Sequence, residues 1–203
     1  MKKKLAIFGS NSGRNLQAIV NYLRSQNFNE LEIVAVSDNL NSDFFQKASE
    51  LNIERKYLPP EENAVYIASE NFDLIALSGY SKELKPNVLE LGCFINLQPS
   101  LLPAFKGADA VARAFSAGVK VSGVTVHTLT NGIDGGKIIA QYPVLIGNLT
   151  HFDEFEENIR QLEDLLYPIV IAKILEDKVF DFSDLLSGCG NCGSGGCSGC
   201  QGH

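Results

Sequence analysis

Leu5-Ala6-Ile7-Phe8-Gly9-Ser10-Asn11-Ser12-Gly13-Arg14-Asn15-Leu16-Gln17 reads as one complete strand, loop and helix start. The apolar run from Leu5 ends after four residues at Gly9, too short for a signal-peptide core or a membrane span and suited to a buried strand. Gly9 to Asn15 are small or polar, so the backbone can turn tightly and several N–H groups can converge with the helix N-terminus on an anion. The spacing matches neither the P-loop nor the dinucleotide fingerprint, and the residues alone leave open a turn that binds nothing.

The same alternation continues downstream. Apolar strand-like runs at Leu5 to Phe8, Glu32 to Ser37, Leu74 to Ser78 and Cys93 to Leu97 are separated by helical patterns at Asn15 to Arg24, Asp43 to Leu51, Ala64 to Glu70, Pro86 to Leu91 and Ala108 to Ala117. Short apolar strands alternating with amphipathic helices predict an α/β fold, a mostly parallel central sheet flanked by helices. After Gly118 two strand patterns, Val121 to Thr128 and Lys137 to Leu145, flank Thr130-Asn131-Gly132-Ile133-Asp134-Gly135-Gly136, which predicts an antiparallel addition. Phe152, Phe155, Ile159, Leu162, Leu166 and Ile169 then recur at helical spacing, with Asp153 and Glu154 suiting the first turn and Pro168 predicting a kink.

The chain of 203 residues fits one globular domain, residues 1–186, with a Gly/Cys-rich tail at 187–203. A net charge of −7 argues against a broad footprint for nucleic acid or anionic membrane and favours small-molecule ligands, with the cytoplasm the expected compartment. Four of the five cysteines fall in the tail as Cys189-x2-Cys192-x4-Cys197-x2-Cys200, two chelating pairs whose donors suit tetrahedral zinc. A thiol-bearing peptide without metal is an equal alternative, since nothing in the tail can build a core.

Further signals cluster between Asn96 and Asp134. Asn96-Leu97-Gln98-Pro99-Ser100-Leu101-Leu102-Pro103 follows a strand, and Gly123-Val124-Thr125-Val126-His127 precedes Asp134-Gly135-Gly136. Taken alone, Asn96 suits an Asx turn and Asp134 a hairpin. Together with Ser10-Asn11-Ser12-Gly13-Arg14-Asn15-Leu16-Gln17, in this order, they resemble the folate-dependent formyltransferase family, and within it the phosphoribosylglycinamide formyltransferases, over residues 4–178. The resemblance implies a Rossmann-like fold and formyl transfer from 10-formyltetrahydrofolate, as co-substrate, to a phosphorylated amine, with glycinamide ribonucleotide the best single candidate.

Carried over residue by residue, the resemblance makes Asn96, Gln98 and Asp134 the catalytic positions. Asn11, Ser12, Gly13, Arg14, Asn15 and Gly107 would meet the phosphorylated substrate, and Glu163 its sugar hydroxyls. A solvated helix carboxylate is the alternative for Glu163. Tyr80, Ser81, Lys82, Glu83 and Leu84 would line the folate pocket. Transfer to an amine needs a donor at the developing oxyanion and a group that manages protons. At the second catalytic position the family carries histidine, which titrates near neutral pH, whereas Gln98 is a neutral amide. A catalytically silent relative with a metal- or redox-responsive tail is therefore a second expectation. Formyl transfer to methionyl-tRNA is disfavoured by the acidic charge and by the lack of room for a tRNA-binding domain.

Overall fold

The computed structural model describes residues 2–130, 134–146 and 151–181. Seven strands form one sheet in the order β3-β2-β1-β4-β5-β6-β7. They are β1 (Lys4–Phe8), β2 (Glu32–Ser37), β3 (Glu54–Tyr57), β4 (Leu74–Leu77), β5 (Phe94–Gln98), β6 (Val121–Thr128) and β7 (Ile138–Leu145). The first five pair in parallel, and β6 and β7 return antiparallel. Strand order reverses at β1, which lies between β2 and β4, so the loops after β1 and β4 open at the switch point where such sheets bind ligands.

Six helices cover the sheet: α1 (Arg14–Ser25), α2 (Asp43–Glu50), α3 (Asn63–Glu70), α4 (Pro86–Leu89), α5 (Ala110–Ser116) and α6 (Phe152–Leu175). Alternating strand residues face opposite ways. Leu5, Ile7, Leu74, Ala76 and Ile95 join the larger core with residues of α1, α2, α5 and α6. Ala6, Phe8, Ile75, Leu77 and Phe94 pack with Ile67 of α3, Val88 of α4 and Leu84.

Two readings need correction. The strand β3 carries no apolar pattern, because Glu54, Arg55, Lys56 and Tyr57 are all exposed at the sheet edge, where charged side chains discourage pairing with another chain. The expected helix to Leu91 is a single turn ending at Leu89, and Cys93 lies exposed just before β5. The long helix runs through Pro168 to Leu175. Next to that proline Tyr167 is fully buried, and its hydroxyl reaches the carbonyl oxygens of Leu77 (2.8 Å) and Ile95 (3.1 Å), docking α6 beneath the ends of β4 and β5.

Between β5 and α5 the chain turns through Ser100-Leu101-Leu102-Pro103, with a cis Leu102–Pro103 bond. Thr125 of β6, fully buried, anchors this turn: its hydroxyl donates to the Ser100 carbonyl (2.6 Å) and accepts from the Leu102 N–H (3.1 Å) and the Gln141 amide (2.9 Å). Gly123, two residues earlier, makes room for the turn, since a methyl there would lie 2.1 Å from the Tyr142 carbonyl oxygen and 2.8 Å from the Leu101 side chain. Substituting Thr125→Val keeps the shape and strips the Ser100 carbonyl and the Leu102 N–H of their partner, while the Gln141 amide keeps the Leu102 carbonyl. Buried polar groups left unpaired cost about 1–3 kcal/mol, so the urea midpoint should fall by the corresponding amount at unchanged m. An unshifted midpoint would show that Thr125 does not hold the turn.

Candidate active site

The site grows from the register of β5 against β6. Asn96 lies opposite His127 and Gln98 opposite Thr125, so all four side chains share one face at the carboxyl end of β5. The Asn96 amide nitrogen lies 3.4 Å from His127 Nε2, a long contact, and Asn96 remains half-buried. On the other side of the imidazole, Nδ1 is 2.9 Å from the Thr128 carbonyl. A carbonyl only accepts, so the proton of the neutral ring sits on Nδ1 and Nε2 is left to accept.

Asp134 approaches the same nitrogen from the turn between β6 and β7, with Oδ1 3.5 Å from His127 Nε2. Its other oxygen accepts from the Gly107 N–H at 2.7 Å. Asp134 has a left-handed backbone (φ 46°), a conformation that Asp tolerates better than most residues. The nearby Gly136 is required by space, because a methyl there would lie 1.5 Å from the Thr128 carbonyl oxygen. Asn131, Gly132 and Ile133 of this turn lie outside the described residues.

Gln98 is buried (6% exposed) and turned away from this line. Its amide nitrogen donates to the carbonyls of Phe105 (3.2 Å) and Gly107 (3.0 Å), which engages both N–H bonds. The loop it holds is sharply kinked, with positive φ at Phe105 (51°), Gly107 (78°) and Asp109 (54°). Arg113 of α5 holds it from outside through the carbonyls of Phe105, Lys106 and Ala108.

The first loop lies across the switch point. Ser10 is buried, its N–H donates to the Gly79 carbonyl (3.2 Å) and its hydroxyl accepts from the Ser81 N–H (2.9 Å), tying the loops after β1 and β4 together. No side chain caps α1, whose first N–H groups therefore remain available to an anion. Arg14 does not turn toward that opening. Its Nε donates to Asp164 (2.7 Å), and its two terminal nitrogens form a fork on Glu157, both at 3.2 Å. These carboxylates on α6 raise the pKa of the guanidinium still further, the bond to Glu157 contributing most.

Beside Asp164, Glu163 is partly buried, and the Asn15 amide hydrogen-bonds to it. Burial pushes its carboxyl up to about 7, with a smaller push from the Asp164 charge and opposing pulls from Asn15, Arg14 and Arg160. The structure therefore brings Asn15, Arg14 and Glu163 to one side of the switch point, although Glu163 is far away in the sequence.

In the segment after β4, Tyr80 and Leu84 face inward. The Tyr80 ring packs edge-on against Phe8 at 5.5 Å, its hydroxyl accepts from Asn63 (3.1 Å), and Leu84 is buried in the smaller core. Ser81, Lys82 and Glu83 are exposed, with Lys82 Nζ 3.7 Å from the buried carboxylate of Asp38. This segment offers a ligand mainly its backbone and three polar side chains. Cys189, Cys192, Cys197 and Cys200 lie outside the described residues, and among the described residues no group of three or more His, Cys, Asp and Glu could hold a metal. No described helix is long and apolar enough to cross a membrane. Sequence reasoning missed the supports Thr125 and Tyr167, both buried, and Arg113, on the surface, of which only Thr125 lay inside a motif that could have drawn attention.

Residues 3–171 match the formyl transferase family. Phosphoribosylglycinamide formyltransferase of Bacillus subtilis is 37% identical over 185 residues, covering 85% of this chain and 95% of its relative. Among solved structures, glycinamide ribonucleotide transformylase 1 from Symbiobacterium toebii superposes with a TM-score of 0.79 at 29% identity, over 86% of this chain and 88% of that one. The Geobacillus kaustophilus protein of the same name gives 0.78 at 34% identity, over 86% of this chain and all of the other. With this match along the strands and loops that build the site, the chain belongs to the formyl transferase family.

Proposed function

We propose that this chain transfers the formyl group of 10-formyltetrahydrofolate to the primary amine of glycinamide ribonucleotide, the step named in its relatives from Bacillus subtilis and Geobacillus kaustophilus. The observation that carries the reading is the convergence of Asn96 and Asp134 on Nε2 of His127 at the carboxyl end of β5, beside the switch-point loops. A silent binding protein would have no need to keep a carboxylate and an amide in that register.

The roles follow from the donor set. The uncapped N-terminus of α1, with the backbone of Asn11, Ser12 and Gly13, suits a phosphate dianion. Asn15 and Glu163 suit the hydroxyls of a ribose, a carboxylate being a good acceptor for a diol. Arg14, engaged by Asp164 and Glu157, holds α6 to the loop. The backbone of Tyr80 to Leu84, with Ser81, Lys82 and Glu83, fits the polar edge of the pterin of 10-formyltetrahydrofolate, the co-substrate that would supply the formyl group from its N10. Asn96 donates an N–H to the formyl oxygen as negative charge develops there. Asp134 takes up the proton that the attacking nitrogen must lose, beside an imidazole whose Nε2 can share it. The new C–N bond to the amine forms as the bond between the formyl carbon and the folate nitrogen breaks, and that nitrogen leaves with a proton. For the tail, the two C-x2-C pairs support tetrahedral zinc by their donor chemistry alone.

Purified protein should release tetrahydrofolate from 10-formyltetrahydrofolate only when glycinamide ribonucleotide is present. Removing the acid–base group with Asp134→Asn should lower kcat about 10²–10⁴-fold. Release without the amine, or full activity in Asp134→Asn, would overturn the assignment.

Glu163 gives a pH signature. With its carboxyl lifted to about 7, the acceptor form grows as pH rises from 6 to 8, so KM for the phosphorylated amine should fall over that range in wild type and stay flat in Glu163→Gln. Stability runs the other way. A folded pKa raised above its ordinary 4.5 stabilises fully below 4.5, and that contribution is lost as pH rises through 7. The urea midpoint of wild type relative to Glu163→Gln should therefore decline between those limits, and parallel curves would remove Glu163 from the buried position.

A further inference from the structure

We infer that Gln98 is a positioning residue, which fixes the Asp134 carboxylate by holding the Phe105–Gly107 loop from beneath, so that this chain works without a side-chain proton donor at position 98. The inference rests on the formyl-transfer reading above. Three observations carry it. Both N–H bonds of the Gln98 amide end on carbonyls of the loop, at Phe105 (3.2 Å) and Gly107 (3.0 Å), and the side chain is buried. The residue whose carbonyl it holds, Gly107, donates its own N–H to Asp134 at 2.7 Å, a closer contact than the 3.5 Å between that carboxylate and His127 Nε2. Finally, the loop is strained, since Phe105 adopts the left-handed conformation that bulky side chains disfavour.

Chemistry explains why glutamine suits this place. A primary amide presents two N–H bonds from one nitrogen and can bridge two carbonyls, whereas a neutral imidazole presents one N–H in all. Histidine at position 98 would release at least one carbonyl of the loop. Glutamine is thus a strut matched to this loop, with Arg113 gripping the same stretch from the solvent side. Asp134 is reached through Gly107 alone, so a change at Gln98 should alter turnover more than the affinity for either substrate.

The test uses the full chain, with kcat and KM for tetrahydrofolate release measured for wild type, Gln98→Ala, Gln98→His, Asp134→Asn and the double variant Gln98→Ala/Asp134→Asn. The Gly107 amide proton is followed by NMR in the same proteins. Misplacement of a reacting group by about an ångström costs up to about 100-fold, so Gln98→Ala should lose about 10- to 100-fold in kcat. Its KM values should stay within about twofold, and it should add less than about twofold to the loss in the Asp134→Asn background. The Gly107 amide proton should lie downfield in wild type, as befits a charge-assisted bond, and move upfield in Gln98→Ala while amides of β1 and β4 stay in place. Gln98→His should also fall below wild type. Turnover in Gln98→His above wild type, independent losses in the double variant, or an unmoved Gly107 amide in Gln98→Ala would each overturn the inference. Wild-type protein with no acceptor-dependent release would instead defeat formyl transfer to this amine, and the Gly107 amide would then decide the strut by itself.

Discussion

Everything at the site depends on one register, the antiparallel pairing that sets Asn96 opposite His127 and Gln98 opposite Thr125. Because side chains alternate along a strand, a slip of β6 by one residue against β5 would send His127 and Thr125 to the opposite face, where Val124 and Val126 now pack into the larger core with Ile95 and Leu97 of β5. That apolar set makes the slip prohibitive. The polar line at the site is in this sense held in place by the hydrophobic core behind it, and Tyr167, reaching from α6 to the carbonyls of Leu77 and Ile95, ties the two sides together.

The register fixes positions along the strands, but the turns above them need their own support. Thr125 serves the Ser-Leu-Leu-Pro turn through two hydrogen bonds, to Ser100 and Leu102, and Gln98 and Arg113 serve the next loop through five. Carbonyl oxygens in tight non-helical segments find no ladder partners, so side chains must supply the donors. This accounts for the dense polar residues in a stretch that also carries function. It also explains why Gly123 and Gly136 recur beside the motif residues: each allows the turn to approach β6 or β7 more closely than a methyl would.

Much of this was legible in the chain. Leu5 to Phe8 and the strands after it declare themselves by apolar runs buried on both faces, and the change of pattern after Gly118 marks the antiparallel pair. The strand β3 was invisible because an edge strand with four exposed residues carries no burial signal. Asn96 and Asp134 stood out because they lie within motifs, but the partners of Arg14 on α6 lie 143 and 150 residues downstream, and no local pattern encodes such a pairing. For the same reason the residues could not tell whether Arg14 would face a phosphate or a carboxylate. Gln98 was conspicuous as a departure from the family, yet its task depends on where the Phe105–Gly107 carbonyls arrive, which is a property of the folded loop.

The replacement of an imidazole by an amide at position 98 can be weighed energetically. For Gln98 to serve a developing oxyanion it would have to withdraw an N–H from Phe105, whose carbonyl would keep only Arg113, or from Gly107, whose half-buried carbonyl would lose that bond, at a cost of up to about 1–3 kcal/mol. A well-placed oxyanion donor returns about 2.7–4 kcal/mol, and that figure assumes a donor already aimed at the reacting oxygen. Subtracting the cost of release, and then the loss of the Gly107 position that aims Asp134, leaves little net gain. Asn96 has no such conflict: its second N–H is not committed to the loop, it keeps partial exposure, and its long contact with His127 is readily exchanged. The balance therefore assigns the donor role to Asn96 and the structural role to Gln98, and it places the remaining proton chemistry on the pair formed by Asp134 and His127.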